Sequence, residues 1–161
     1  MIKSLKQLLF LFKSFMNPIT EENPRLRLFH AALQSLGTDA SPNDIAPDEY
    51  GCAETINVIH EKAFGFPIGG DISTYRLYKA LKESTYFKKV QEPLEGDVCI
   101  SPTGYGDADI MVGHVGIVGE LNKIMSNNSK TGKFEENYTI ESWTKRWKDK
   151  GKYPVHFYRR I

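Results

Sequence analysis

The apolar pattern of this chain changes period once, and that change constrains the fold more than any other feature. Through residue 84 the apolar residues recur at helical spacing; beyond it they fall in short runs broken by turn residues. After Pro24, Leu26, Phe29, Leu33 and Leu36 form one helical face that Gly37 ends. A second helix begins near Tyr50–Cys52 and runs toward Ala63, with Ile56, Ile59 and Ala63 on one face. Asp71 and Ser73 can cap a third, STYRLYKALKES. Strands are predicted at 86–90, 97–101, 113–118, 123–127 and 154–160, and a short helix at 140–148 carries Trp143 and Trp147. Helices first and antiparallel strands afterwards predict an α+β fold, with the helices packed on the sheet.

With 161 residues, the chain has the length of one domain and can bury a core without staples. The first sixteen residues read as a separate element. Leu5, Leu8, Leu9, Phe12, Phe15 and Met16 make a stripe, and Lys3, Lys6 and Lys13 make it a basic amphipathic helix. That helix is expected to pack on its own domain; the alternative is peripheral contact with an anionic membrane. The run LLFLF is short, Lys13 interrupts it and Asn17-Pro18 follows, which does not match a cleavable signal peptide. Residues 17–161 are expected to form a single domain.

Lys and Arg number 21 against 20 Asp and Glu, a net charge of +1 that gives no support to a nucleic-acid partner held by bulk charge. Two cysteines make neither a disulfide framework nor a multi-Cys zinc site, and the four histidines show no metal-ligand spacing. No metal and no cofactor are expected. Gly104-Tyr105-Gly106-Asp107-Ala108-Asp109 lacks the spacing of a calcium loop and reads as a loop rimming a cleft.

Chemistry points to Cys52. It follows a loop and opens a helix, where free N–H groups and the helix dipole favour a thiolate. Gly51 leaves room beside the sulfur, and the Cys52 N–H can donate to an oxyanion. Cys99, inside the apolar run DVCI, reads as core. A cysteine nucleophile needs a base near in space. His114, in GHVGIVG on a predicted strand, is flanked by glycines that allow close approach. His60 lies on the Cys52 helix, about 12 Å further along at about 1.5 Å per residue, too far to take its proton. His30 and His156 read as surface or packing residues. The imidazole needs a third polar group to hold it, and KIMSNNSKTG on the following strand offers Asn127 and Asn128. Alternation puts the two on opposite faces; Asn127 is expected at the site and Asn128 in the turn.

The ordered set — a cysteine at a loop–helix junction, Gly96-Asp97-Val98, then Gly113-His114-Val115-Gly116-Ile117-Val118 and a polar residue on the next strand — resembles the papain-like NlpC/P60 and CHAP amidases and peptidases. The resemblance covers roughly residues 45–130. The context Gly51-Cys52-Ala53-Glu54 departs from the Asp-Cys-Ser common in that group. What the resemblance implies is a papain-like catalytic domain that cleaves an amide of peptidoglycan, at the sugar–peptide junction or within the stem peptide. Cys52 is then the nucleophile and oxyanion donor, His114 the base and Asn127 the orienter. The site of action expected is the bacterial cell wall or periplasm, with the protein working as a monomer. The small size suits a phage lysin or a toxin-like effector; the alternatives are an inactive binding or structural module and a cysteine protease on protein substrates.

Overall fold

A computed structural model describes residues 23–39, 41–44, 47 and 50–161; the helix expected over residues 1–16 lies outside them. Helix α1 (Pro24–Gln34) starts where the Asn23 side chain accepts the Arg25 N–H at 3.0 Å and Pro24 pre-sets the first turn. It buries Leu28, Phe29, Ala31 and Ala32, with Leu26 and Leu33 partly covered, and leaves Leu36 beyond its end exposed. Helix α2 (Cys52–Phe64) ends at Gly65, whose left-handed φ of 82° closes the last turn. Helix α3 (Thr74–Glu83) is capped by Ser73, which accepts the Arg76 N–H.

Six antiparallel strands follow: β1 (Phe87–Val90), β2 (Val98–Ser101), β3 (His114–Val118), β4 (Lys123–Asn128), β5 (Lys133–Thr139) and β6 (His156–Arg160). They make one sheet in the order β1-β6-β2-β3-β4-β5. Between β5 and β6 lie a turn of helix, α4 (Ile140–Trp143), and a π-helical stretch, Thr144–Lys150. Strand β5 is absent from the sequence expectation. It is an edge strand whose only fully buried residue is Phe134, so the sequence KFEENYT carries little apolar signal.

The sheet has two covered faces. Val98, Ile100, Val115, Ile117, Met125 and Phe134 pack against α1–α3. Cys99, Val118 and Ile124 pack on the other side against Trp143, Trp147 and Tyr153. Cys99 is therefore core, as its sequence context suggests, and burial holds its thiol well above the ordinary value.

The segment Gly96-Asp97-Val98 locks the two halves together. The fully buried Asp97 carboxylate accepts both Arg159 Nε (3.0 Å) and Arg159 NH2 (2.8 Å) from β6, and the Leu94 N–H at 2.8 Å. Beside it, Gly96 adopts a φ of 87°, and a Cβ there would overlap the Arg25 main-chain carbonyl of α1. Gly96→Ala should therefore cost about 3 kcal/mol, from left-handed strain together with the overlap. Urea denaturation checks this; a variant as stable as the parent would mean that α1 can draw back from the sheet freely.

Candidate active site

Cys52 is the first residue of α2 and is 7% exposed. Its sulfur lies within reach of the main-chain N–H groups of Val115, Ala53 and Cys52 itself, which favour a thiolate. Burial outweighs them and pushes the thiol up to about 11. The helix start alone thus does not ionise the sulfur, contrary to the expectation from sequence; at neutral pH the resting group is a thiol.

His114 begins β3, and its neighbours explain the glycines around it. A Cβ at Gly113 would overlap the main chain at Ser101–Thr103. A Cβ at Gly116 would come within 2.7 Å of both Ile124 Cγ2 and Met125 O. Gly116 pairs with Ser126, and the β3–β4 register runs from there to Val118 and Ile124, short of His114. Where that register stops, the groups it does not use turn to the site. The Val115 N–H meets the Cys52 sulfur, and the Asn127 carbonyl faces the His114 ring.

Ser126, rather than Asn127, presents its side chain to that ring. His114 Nε2 is 3.1 Å from Ser126 Oγ, and Ser126 donates its one proton to Asn137 Oδ1 at 2.7 Å. Asn137 in turn donates through Nδ2 to the Asn127 carbonyl at 3.2 Å. Since the Ser126 proton is committed to Asn137, Ser126 Oγ accepts from His114 Nε2–H, which leaves Nδ1 as the basic nitrogen. Asn127 takes part through its main chain, while its buried side chain alternates to the helix face of the sheet with Met125. Asn128 accepts the Lys130 N–H and donates to Glu135, in keeping with its turn. Ser126 and Asn137 were missed in the sequence because Ile124, Met125, Ser126 and Asn127 are all buried, so β4 shows no polar alternation to read.

Trp143 and Trp147 lie flat along the imidazole, each with its centroid 5.2 Å away, and Tyr138 meets it edge-on at 6.1 Å. Their indole N–H groups are anchored, Trp143 on Ser101 Oγ and Trp147 on the Val112 carbonyl. Burial and the nearby Arg146 charge draw His114 down to about 4, against the pull of the Asn127 carbonyl. The ring is neutral at pH 7 and able to accept a proton.

Cys52 and His114 line one cavity of about 170 Å³, together with Tyr50, Ile72, Ser73, Thr74, Thr103, Val112 and Gly113. Its wall is fixed by Thr103, which bonds Thr74 Oγ1 at 2.9 Å and accepts the Gly113 N–H at 3.0 Å. The other histidines stand apart. His60 donates Nδ1 to the Phe66 carbonyl at 2.7 Å among Phe64, Phe66 and Phe87, and His156 stacks on Tyr78. No cluster of His, Cys, Asp or Glu among the described residues could hold a metal ion.

No family model matches the chain, and neither does any curated protein. Among solved structures it is similar to the Tae3 chain of the type VI native effector–immunity complex Tae3–Tai3 from Ralstonia pickettii. The TM-score is 0.54 at 17% identity, over 85% of this chain and 98% of the other. That finding corrects the expectation of a monomer, since the similar chain occurs in a complex with Tai3.

Two buried rings make the fold sensitive to acid. His60 and His114 both stand at about 4 in the fold against an ordinary 6.5, so the folded chain binds fewer protons than the unfolded chain between those values. Their contribution to stability is complete above 6.5 and is lost as pH falls through 4. The urea midpoint should fall from pH 7.5 to pH 5; equal midpoints would contradict neutral burial of these rings. The fold itself is α+β, with helices packed on an antiparallel sheet, and it is shared with the Tae3 chain.

Proposed function

We propose that this protein is a cysteine hydrolase that cleaves an amide bond of peptidoglycan, acting as an antibacterial effector. One observation carries the reading: Cys52 and His114 share a cavity, while Nε2 of His114 is held by Ser126 and Nδ1 is left basic. The likeness to a chain of an effector–immunity complex favours an effector over a phage lysin.

The reaction runs in two halves. Cys52 Sγ attacks the amide carbonyl carbon as its proton passes to His114 Nδ1, and the Cys52 N–H stabilises the oxyanion. Collapse breaks the C–N bond, and the amine departs with the proton from His114. Water, losing a proton to the same nitrogen, then hydrolyses the thioester and restores the thiol. A thiol at about 11 and an imidazole at about 4 do not form an ion pair beforehand. Burial opposes the charged form of each, so both rest neutral. Proton transfer therefore accompanies C–S bond formation. A small inhibitory protein is the partner we propose, by analogy with the complex of the similar chain.

Cys52→Ala should abolish clearing of a peptidoglycan gel and leave the fold intact, because the lost sulfur is small and lies at a helix start. Clearing by that variant would end the reading; binding to the wall without clearing by the parent would favour an inactive module. Ser126→Ala should lower kcat roughly ten- to a thousand-fold with little change in KM, as an orienting bond does. Asn128→Ala should affect stability more than rate. Steady-state rates on purified muropeptides separate them, and an undiminished kcat for Ser126→Ala would remove Ser126 from the site.

A further inference from the structure

Away from Cys52 and His114, a groove of about 630 Å³ lies where three connections meet: residues 91–93 after β1, Leu121 and Asn122 between β3 and β4, and residues 139–141 where β5 passes into α4. It sits at the end of the sheet opposite to the site. His114 opens β3 and this turn follows its last residue, Val118, roughly 14 Å further on at about 3.4 Å per residue. Pro93, Leu121 and Ile140 are its apolar lining, and the exposed Leu94 adjoins them. Leu121 is 84% exposed, held out by left-handed backbone with φ of 52° there and 60° at Asn122. Glu92 and Glu141 line the groove and Glu120 precedes Leu121; none of the three forms an ion pair among the described residues. The nearby cations are spent, Lys123 on Glu136 and Arg159 on Asp97. The groove is therefore apolar along its floor and negative at its rim.

The chain carries a segment of the opposite character. Residues 1–16 combine the stripe Leu5, Leu8, Leu9 and Phe12 with Lys3, Lys6 and Lys13, and no acidic residue precedes Glu21. As a helix, this segment sets Lys6 and Lys13 on one flank of the stripe, about 10 Å apart at about 1.5 Å per residue. The segment also ends close by. It leads into α1, where Arg25 donates to the Glu95 carbonyl and pairs with the Glu95 carboxylate at 3.6 Å, two residues from Pro93. Residues 17–22 can span up to about 20 Å between the two. We propose that residues 1–16 dock as a basic amphipathic helix in this groove, with the apolar stripe on Leu121 and Ile140 and the lysines toward Glu92 and Glu141. A helix docked there leaves the Cys52 cavity open, so the proposal stands apart from the hydrolase reading.

Cross-linking within the full chain tests it. Leu9→Cys is combined with Leu121→Cys in the groove or with Tyr105→Cys at the other end of the sheet, and each pair is treated with a short bismaleimide; Cys52 and Cys99 are buried. The Leu121→Cys pair should close within one chain roughly tenfold faster or more, since docking raises the effective concentration of the two thiols. Reversing the rim with Glu92→Lys and Glu141→Lys should remove that advantage, and adding Lys6→Glu and Lys13→Glu should restore it. Equal rates for the two pairs overturn the proposal, and full-chain binding to phosphatidylglycerol vesicles would then give the segment to a membrane. Links formed only between two chains also overturn it and assign the groove to a second copy. An advantage that survives the rim reversal unchanged overturns the charge pairing on which the choice of occupant rests.

Discussion

Everything at the site hangs on how closely β3 approaches β4. Gly116 lets Ile124 Cγ2 and the Met125 carbonyl come to 2.7 Å of where a Cβ would stand, and it lies opposite Ser126. His114 is two residues earlier on the same face, so the close approach delivers the Ser126 hydroxyl to its ring. The intervening Val115 faces the other way, into the core beneath α2, with its N–H toward the Cys52 sulfur. One strand thus presents a main-chain N–H to Cys52 and an imidazole to Ser126, and a side chain at 116 would force β3 away from β4.

The second constraint is the aromatic wall. Trp143 and Trp147 pack tilted at 33° with centroids 4.3 Å apart and lie along the imidazole, and a capping box between Thr139 and Ser142 fixes where their helical turn begins. The wall excludes water from one side of the ring. That favours neutral imidazole and, with a buried thiol, leaves both partners uncharged at rest. A thiol so held is a poor target for stray oxidants and electrophiles, and it becomes a nucleophile only with a carbonyl in place and a base to receive the proton.

The sequence carries the helices and five of the strands, because each leaves a local mark: caps, apolar periods, glycines at close approaches; it also singles out Cys52 and His114, which the structure places on one cavity. It does not carry the choice of Ser126. That choice depends on which face of a strand buried on both sides meets the base, and no alternation marks it. The edge strand β5 was hidden by its polar composition, and Asn137 with it. The thiol's state was misjudged for a related reason. The helix start is visible in sequence, while the depth of burial that opposes it is a tertiary quantity.

The near-zero net charge conceals a local polarity. Acidic groups cluster on the α2 side of the Cys52 cavity and cations on the Trp147 side, so the totals cancel while the cleft does not. Composition excludes a long-range field of one sign, and with it bulk attraction to a polyanion. It says nothing about how charge is divided between one side of a cleft and the other, and that division is what orients a peptide with an amine at one point and a carboxylate at another. Ile72, Val112, Lys130 and Arg146 are all exposed, so water and salt screen these charges, and their imbalance acts over a Debye length of about 8 Å and not across the whole surface.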